Sequence, residues 1–261
     1  MKLTIIHGDC VEKTRSIADN SIDVIFNDPP YGTGNRSNKT PDYDQSEYMA
    51  TRNWQNFFAD WDAPVDPIFT ELWLREAWRV LKPQGSIWIC GTFHNIPDVA
   101  LIARSIGLFT IQWVVWCIPN SFPHLAGQKM ANANQTLIWA RKCKKQRHVY
   151  MYERAKVWNG GKNLRDYWEI NNDGSVCNEL PFLRDFPAKK PRKLIARALD
   201  ISLPDDRPTH VLDMFAGSGT TGDVCRSINR WIPQSRQHPI NCTLIEKDRS
   251  NIDRFIIPRF K

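Results

Sequence analysis

Five consecutive residues, Asn27-Asp28-Pro29-Pro30-Tyr31, put hydrogen-bond acceptors beside a flat ring. Two prolines in a row fix φ and remove two backbone N–H groups, so their carbonyls act only as acceptors. Asp28 adds a carboxylate, and Tyr31 adds an aromatic face with a polar tip. Such a group can accept two hydrogen bonds from an NH2 while stacking on the ring that bears it. The exocyclic amine of a nucleobase has that shape. Its nitrogen lone pair is delocalised into the ring, which makes it a poor nucleophile. Two acceptors draw the nitrogen towards tetrahedral geometry and stabilise the positive charge that develops on it. A proline-stiffened turn with a capping aspartate is the purely structural alternative.

A second group, Val211-Leu212-Asp213-Met214-Phe215-Ala216-Gly217-Ser218-Gly219-Thr220-Thr221, reads as a strand, a tight glycine turn and a helix start. Gly217 and Gly219 permit close backbone approach and positive φ. The pattern is that of a nucleotide-binding turn, and Glu246, ending the run Thr243-Leu244-Ile245, is placed to hold ribose hydroxyls. A surface carboxylate is the other reading of Glu246. No Lys follows Gly219-Thr220, so the turn is not a triphosphate cradle; a nucleoside fits it better.

These groups need a scaffold, and the chain supplies an alternating one. Apolar, β-branched runs predict seven strands: Leu3–Ile6, Ile22–Phe26, Ser86–Cys90, Phe109–Trp116, Gln135–Trp139, His210–Met214 and Asn241–Ile245. Helical spacing falls between them at Asp66–Leu81, Ile96–Ile106, Pro191–Leu199 and Thr220–Asn229. In the first helix Ile68, Phe69, Leu72, Trp73, Trp78 and Leu81 are expected to share the buried face. The result is an α/β fold with a mostly parallel sheet and helices on both faces. Gly32 to Pro64 is polar, acidic and expected to be a loop. Residues 141–188 form a basic, weakly periodic insertion between a first part, 1–140, and a last part, 189–261, of one catalytic domain.

Composition bounds the rest. The 261 residues are 42% hydrophobic, enough for a sizeable core, and no apolar run approaches a membrane span. The N-terminus reads as a strand rather than a signal peptide. Seven cysteines are scattered singly, without a CxxC pair, so free thiols in a reducing cytoplasm are expected and no metal site. The net charge of +7 is unevenly placed. Nine Lys/Arg and one acid lie between Arg141 and Arg165; Lys189, Lys190, Arg192, Lys193 and Arg197 follow; Pro41 to Glu76 holds eight acids and two arginines. A basic stripe of this density is either a solvated face or a phosphate-backbone footprint. Asn120, Asn132, Arg147, Lys162 and Arg165 are the candidate base or phosphate contacts.

DPPY followed by an FxGxG turn resembles the S-adenosylmethionine-dependent, amino-methylating DNA methyltransferases, and the order, with DPPY first, resembles their circularly permuted β class. The likeness runs along nearly the whole chain. His7–Cys10 (HGDC), Leu81–Ile96, Asn134–Lys142 and Lys189–Leu199 are similar to segments of the N6-adenine methylases of the GANTC, GATC and cell-cycle-regulated type. Ile118, Gln135, Phe186 and Met214 depart from the family pattern. The resemblance implies a Rossmann-like methyltransferase fold, with S-adenosylmethionine held by Asp9, Cys10, Asp28, Lys190, Asp213, Phe215, Gly217, Gly219, Thr220, Thr221 and Glu246. Asp28, Pro29, Pro30 and Tyr31 would act on an adenine amine in DNA, with the base flipped out of a duplex or met in a single strand. A second copy of the chain is a further candidate partner. The alternatives are N4-cytosine methylation, methylation of a protein glutamine or an RNA base, and a catalytically weak DNA-binding protein on the same scaffold.

Overall fold

The computed structural model describes residues 1–32, 66–121, 130–172, 183, 186, 189–228 and 237–261. The expected loop at 32–64 and Cys177 lie outside these, apart from Gly32. Among the described residues eight strands form one sheet: β1 (Leu3–His7), β2 (Ile22–Asn27), β3 (Leu81–Gly91), β4 (Phe109–Cys117), β5 (Asn134–Arg141), β6 (Tyr167–Glu169), β7 (Thr209–Asp213) and β8 (Ile240–Glu246). Their order is β1-β8-β7-β2-β3-β5-β4-β6. All seven expected strands are present, and β6 is an eighth contributed by the basic insertion. Its three residues alternate exposed, buried, exposed, too short a run for periodicity to reveal.

Strand direction decides where the chemistry can sit. β5 is antiparallel to both β3 and β4, and the other neighbours are parallel. Seven strand ends and the start of β5 therefore share one carboxyl edge. The chain leaves β2 towards β3 on one side, and β7 pairs with β2 on the other. That reversal of strand order opens a crevice at the carboxyl edge.

Helices cover both faces. On one side lie α1 (Cys10–Thr14), α2 (Pro67–Val80) and α3 (Ile96–Ser105), packed on Ile25, Ile87, Ile89 and Leu212. On the other, α5 (Arg192–Ser202) and α6 (Thr220–Ser227) pack on Val24, Phe26, Trp88 and Leu244. Between them in chain order is the short α4 (Tyr152–Val157). The chain ends in α7 (Arg249–Asn251), a π turn (Ile252–Ile256) and α8 (Ile257–Phe260). Asp66 caps α2 by accepting from Ile68 N at 2.8 Å, and Pro67 occupies its first turn.

The buried face of α2 differs from expectation. Thr70, Trp73, Leu74, Ala77 and Val80 point inwards, whereas Ile68, Leu72 and Trp78 are exposed. Their i, i+3, i+4, i+7 spacing is regular, but Thr70 and Ala77 are too polar or small to mark it in sequence. Trp78 is capped by Lys142, whose ammonium lies 4.4 Å from the ring centroid.

Much of the basic insertion is bound into this core. Arg154, 8% exposed, donates to Asp200 at 2.9 Å and also pairs with Asp205; Trp158 Nε1 donates to the second Asp200 oxygen at 2.9 Å. The pair ties α4 to α5. Arg154→Met would leave the buried Asp200 without its cation, so the unfolding free energy is expected to fall by roughly 3–5 kcal/mol. The exposed Lys162→Met should change it by less than about 0.5 kcal/mol. Urea titration of both variants checks this; equal, small changes would show that α4 contributes no stability through the pair.

Candidate active site

β2 and β7 are locked at their carboxyl ends by a side chain. Asn27 is fully buried, and its Oδ1 accepts from Met214 N at 3.0 Å. This sets Asp28–Tyr31, leaving β2, beside Phe215–Thr221, leaving β7. The two motifs, nearly two hundred residues apart in sequence, line one cleft. Its walls include Phe26, Asp28, Phe186, Lys190, Asp213, Phe215, Gly217 and Thr220.

Asp28 is held from two sides. Lys190 Nζ, 7% exposed, donates to Oδ2 at 2.7 Å, and Tyr31 Oη donates to Oδ1. The lysine also lies 5.1 Å from the Tyr31 ring centroid, and Tyr31 Oη reaches Gln135 Oε1 at 3.3 Å. Each carboxylate oxygen has a second lone pair and so can accept another donor. Lys190 is supplied by the segment leading into α5, and Gln135 by the start of β5.

The glycine turn has the left-handed backbone its sequence suggests. Gly217 and Gly219 adopt φ of 51° and 74°. A Cβ on Gly217 would stand 3.0 Å from Phe186 Cζ, and one on Gly219 3.3 Å from Ile256. Glu246 Oε2 accepts from Gly217 N at 2.7 Å, while Oε1 accepts from Asp248 N at 2.9 Å and Asn251 Nδ2 at 3.2 Å. Its carboxylate thus braces the turn from the end of β8. Asp213 closes β7; it accepts from Phe215 N at 2.9 Å and Thr221 Oγ1 at 2.6 Å. Burial pushes its carboxyl up to about 7, against the opposing pull of those two bonds. Thr220 and Ser218 share a hydroxyl hydrogen bond at 2.9 Å.

The other expected residues separate. Asp9 caps α1, accepting from Val11 N and Glu12 N at 2.9 and 3.3 Å, and Cys10 is buried with its thiol pushed up to about 12, chiefly by burial. Both follow β1 at the carboxyl edge. Phe215 packs edge-on against Trp73, with centroids 5.4 Å apart. Asn120 is spent on backbone: its amide donates to Asn172 O at 3.1 Å and accepts from Asn172 N at 2.9 Å, clasping the ends of β4 and β6. Asn132, Lys162 and Arg165 are exposed. Arg147 is exposed too, but it belongs to the turn after β5, and Val149 N donates to Gln84 O at the opposite, amino edge of the sheet. It is therefore remote from Asp28.

Sequence reasoning did not find Asn27 as the lock between motifs, Lys190 as the partner of Asp28, or Gln135 as a partner of Tyr31. Gln135 and Phe186 were visible only as departures from a family pattern. Ile118 and Met214, two other departures, are core residues, 7% and 2% exposed.

An acceptor-rich turn and a glycine turn sit at the switch point of a mostly parallel, Rossmann-like sheet, and the fold is that of the S-adenosylmethionine-dependent methyltransferases. Residues 22–253 match the DNA methylase family of N6/N4 type, and the chain belongs to that family. It is 34% identical to the type II methyltransferase M.HinfI of Haemophilus influenzae over 236 residues, covering 87% of this chain and 62% of that protein. It is 30% identical to the type II methyltransferase M2.DpnII of Streptococcus pneumoniae, covering 88% and 82%. The crystal structure of the M1.HpyAVI–SAM complex superimposes with a TM-score of 0.66 at 19% identity, covering 99% of both chains. Among the described residues no helix is long and apolar enough to cross a membrane.

The lining residues suit a nucleoside linked to an amino acid: Lys190, Asp28, Asp213 and Thr220 offer charged and hydroxyl groups, and Phe215 an apolar ring, beside the glycine backbone.

A pH effect on stability follows from Asp213. Its raised folded value means that the native state binds more protons than the unfolded chain between about 4, the ordinary aspartate value, and about 7. Stability from this group therefore falls as pH rises through that window and is flat above it. Asp213→Asn should flatten the profile between those limits in pH-dependent denaturation; an unchanged slope would count against a neutral Asp213.

Proposed function

We propose that this chain transfers a methyl group from S-adenosylmethionine to the N6 amine of adenine in DNA. The observation that carries the reading is the placement of Asp28-Pro29-Pro30-Tyr31 beside the Gly217–Gly219 turn, across one cleft at the carboxyl edge of β2 and β7. The resemblance to the GANTC and GATC methylases favours adenine over the N4 amine of cytosine, while the family takes in both amines. When bound, the cofactor supplies an electrophilic methyl group on a sulfonium, and the protein orients the acceptor.

Each residue then has a task. The Asp28 carboxylate and the Pro29 carbonyl accept from the two amine hydrogens, while Pro30 keeps the turn rigid. Tyr31 stacks on the extruded base, its hydroxyl fixing the Asp28 rotamer. Lys190 holds the far oxygen of Asp28. Phe215, Gly217, Gly219 and Glu246, with Asp9 and Cys10 following β1 at the same edge, would hold the cofactor's nucleoside half. Lys190, Asp213, Thr220 and Thr221 would hold its amino-acid half. Alignment of methyl and amine within the cleft supplies much of the rate.

DNA approaches the carboxyl edge, where Asn132 is exposed, and the outer flank, where Lys162 and Arg165 precede β6. The recognition role expected of 141–188 thus narrows to the part after α4, and Arg147 is not part of it. The target base is flipped out of the duplex, and a second copy of the chain is a candidate partner. Such an enzyme would work in the cytoplasm.

Incubation with labelled cofactor and unmethylated DNA, followed by nucleoside analysis, tests the reading. N6-methyladenine is expected. N4-methylcytosine would select the other amine, and no transfer would reject the assignment. Asp28→Asn should lower kcat by at least about a hundredfold with a much smaller change in cofactor affinity.

A further inference from the structure

The amino edge of the sheet carries a recess of its own, about 380 Å3 in volume, within the range of small-molecule sites. Its floor is Asp23, near the start of β2. Asp28 follows five residues later, roughly 16 Å along an extended strand, so recess and cleft lie on opposite edges. Asp23 is 4% exposed and fully used: Oδ2 accepts from Lys82 Nζ at 2.9 Å and from His210 N at 2.9 Å, and Oδ1 faces Arg207 Nη2 at 2.8 Å.

The lining therefore has a surplus of donors. Two cations share one carboxylate, leaving one positive charge. Lysine has three N–H groups and arginine five, and Asp23 is the one acceptor that each of Lys82 and Arg207 meets among the described residues. Both are partly exposed, at 30% and 40%. The side-chain amides of Gln84 and Gln146 also line the recess and bond to none of the described residues. The adjoining turn adds exposed Lys144, Lys145 and Arg147, which raise the local potential. Surplus donors around a net positive charge fit a ligand that is anionic and rich in acceptor oxygens. The remaining wall, Pro83, Val149 and Pro204, is apolar and suits a flat ring.

We propose that this recess is a second ligand site, taking the phosphoryl group of a nucleotide-sized molecule at Lys82 and Arg207 and its ring against Pro83, Val149 and Pro204. The site shares no lining residue with the transfer cleft. The phosphoryl group can come from a free nucleotide or from a nucleic-acid backbone.

Amide chemical shifts of the 15N-labelled full chain test it, with adenosine 5′-monophosphate, inorganic phosphate, adenosine and a short duplex as probes. The monophosphate is expected to move Gln84, Gly85 and Arg207, phosphate to move the same signals more weakly, and adenosine to leave them in place. Arg207→Gln, in which Lys82 still pairs Asp23, and Gln146→Trp, which fills the mouth without touching Asp23, should each weaken the monophosphate at least tenfold. A duplex that displaces the monophosphate from these signals assigns the phosphoryl group to the DNA backbone; one that does not assigns it to a free nucleotide. The site is overturned if the monophosphate moves only Gly217–Thr221, if adenosine moves Gly85 equally, or if both variants bind as the unaltered chain does.

Discussion

Asn27 spends its side-chain oxygen on the amide of Met214, and the active site depends on that bond. An amide oxygen buried at the junction of two strands must find a donor or lose roughly 1–3 kcal/mol, a cost that Nδ2 of the same side chain, without a partner among the described residues, still carries. For the oxygen the donor is the first residue beyond the neighbouring strand. The bond fixes how far β2 and β7 extend before each turns away. The acceptor turn and the glycine turn consequently open onto the same crevice, although Asn27 and Met214 are 187 positions apart in the chain. The permuted order of the motifs is immaterial to this geometry. What matters is that β7 lies beside β2, with β8 and β1 beyond it.

Part of the positive charge is structural. A basic stripe invites a reading as a nucleic-acid footprint, yet Arg154, Lys189, Lys190 and Arg197 are all at most 8% exposed. Arg154 holds two carboxylates and Lys190 holds Asp28. Arg197 lies between the rings of Trp158 and Trp168, 5.0 and 5.1 Å from their centroids, and burial lowers its guanidinium to about 10. Several of the many tryptophans therefore serve to accommodate cations inside the fold. Between Arg141 and Arg165 the exposed cations are Lys144, Lys145, Arg147, Lys162 and Arg165, a smaller set than the sequence count implies.

The elements that sequence revealed are those with strong, local signals. Central strands buried on both faces read as continuous apolar runs, and Ile22–Asn27 and Thr209–Asp213 appear almost as expected. The turns after them were legible because prolines and glycines carry backbone information directly. The orientation of α2 was not, since its buried face includes Thr70 and Ala77 while Ile68 and Leu72 point outwards. Nor was β6, whose pairing with β4 depends on a chain returning from fifty residues away. Lys190 and Gln135 belong to the site only through tertiary placement. No spacing rule connects either to Asp28, and neither departs from what a solvated surface residue would look like in sequence.

Two aspartates share the cleft, and their surroundings divide their roles. Asp28 faces a buried ammonium at 2.7 Å and a phenol. Asp213 faces a hydroxyl and an N–H, both neutral, and burial pushes its carboxyl up to about 7. Asp28 thus presents its oxygens beside a cation. A buried carboxyl with neutral neighbours can hold its proton and so avoid placing a second negative charge near the first. Lys190 joins the segment before α5 to the acceptor turn after β2, while a third carboxylate, Glu246, braces the glycine turn from the end of β8.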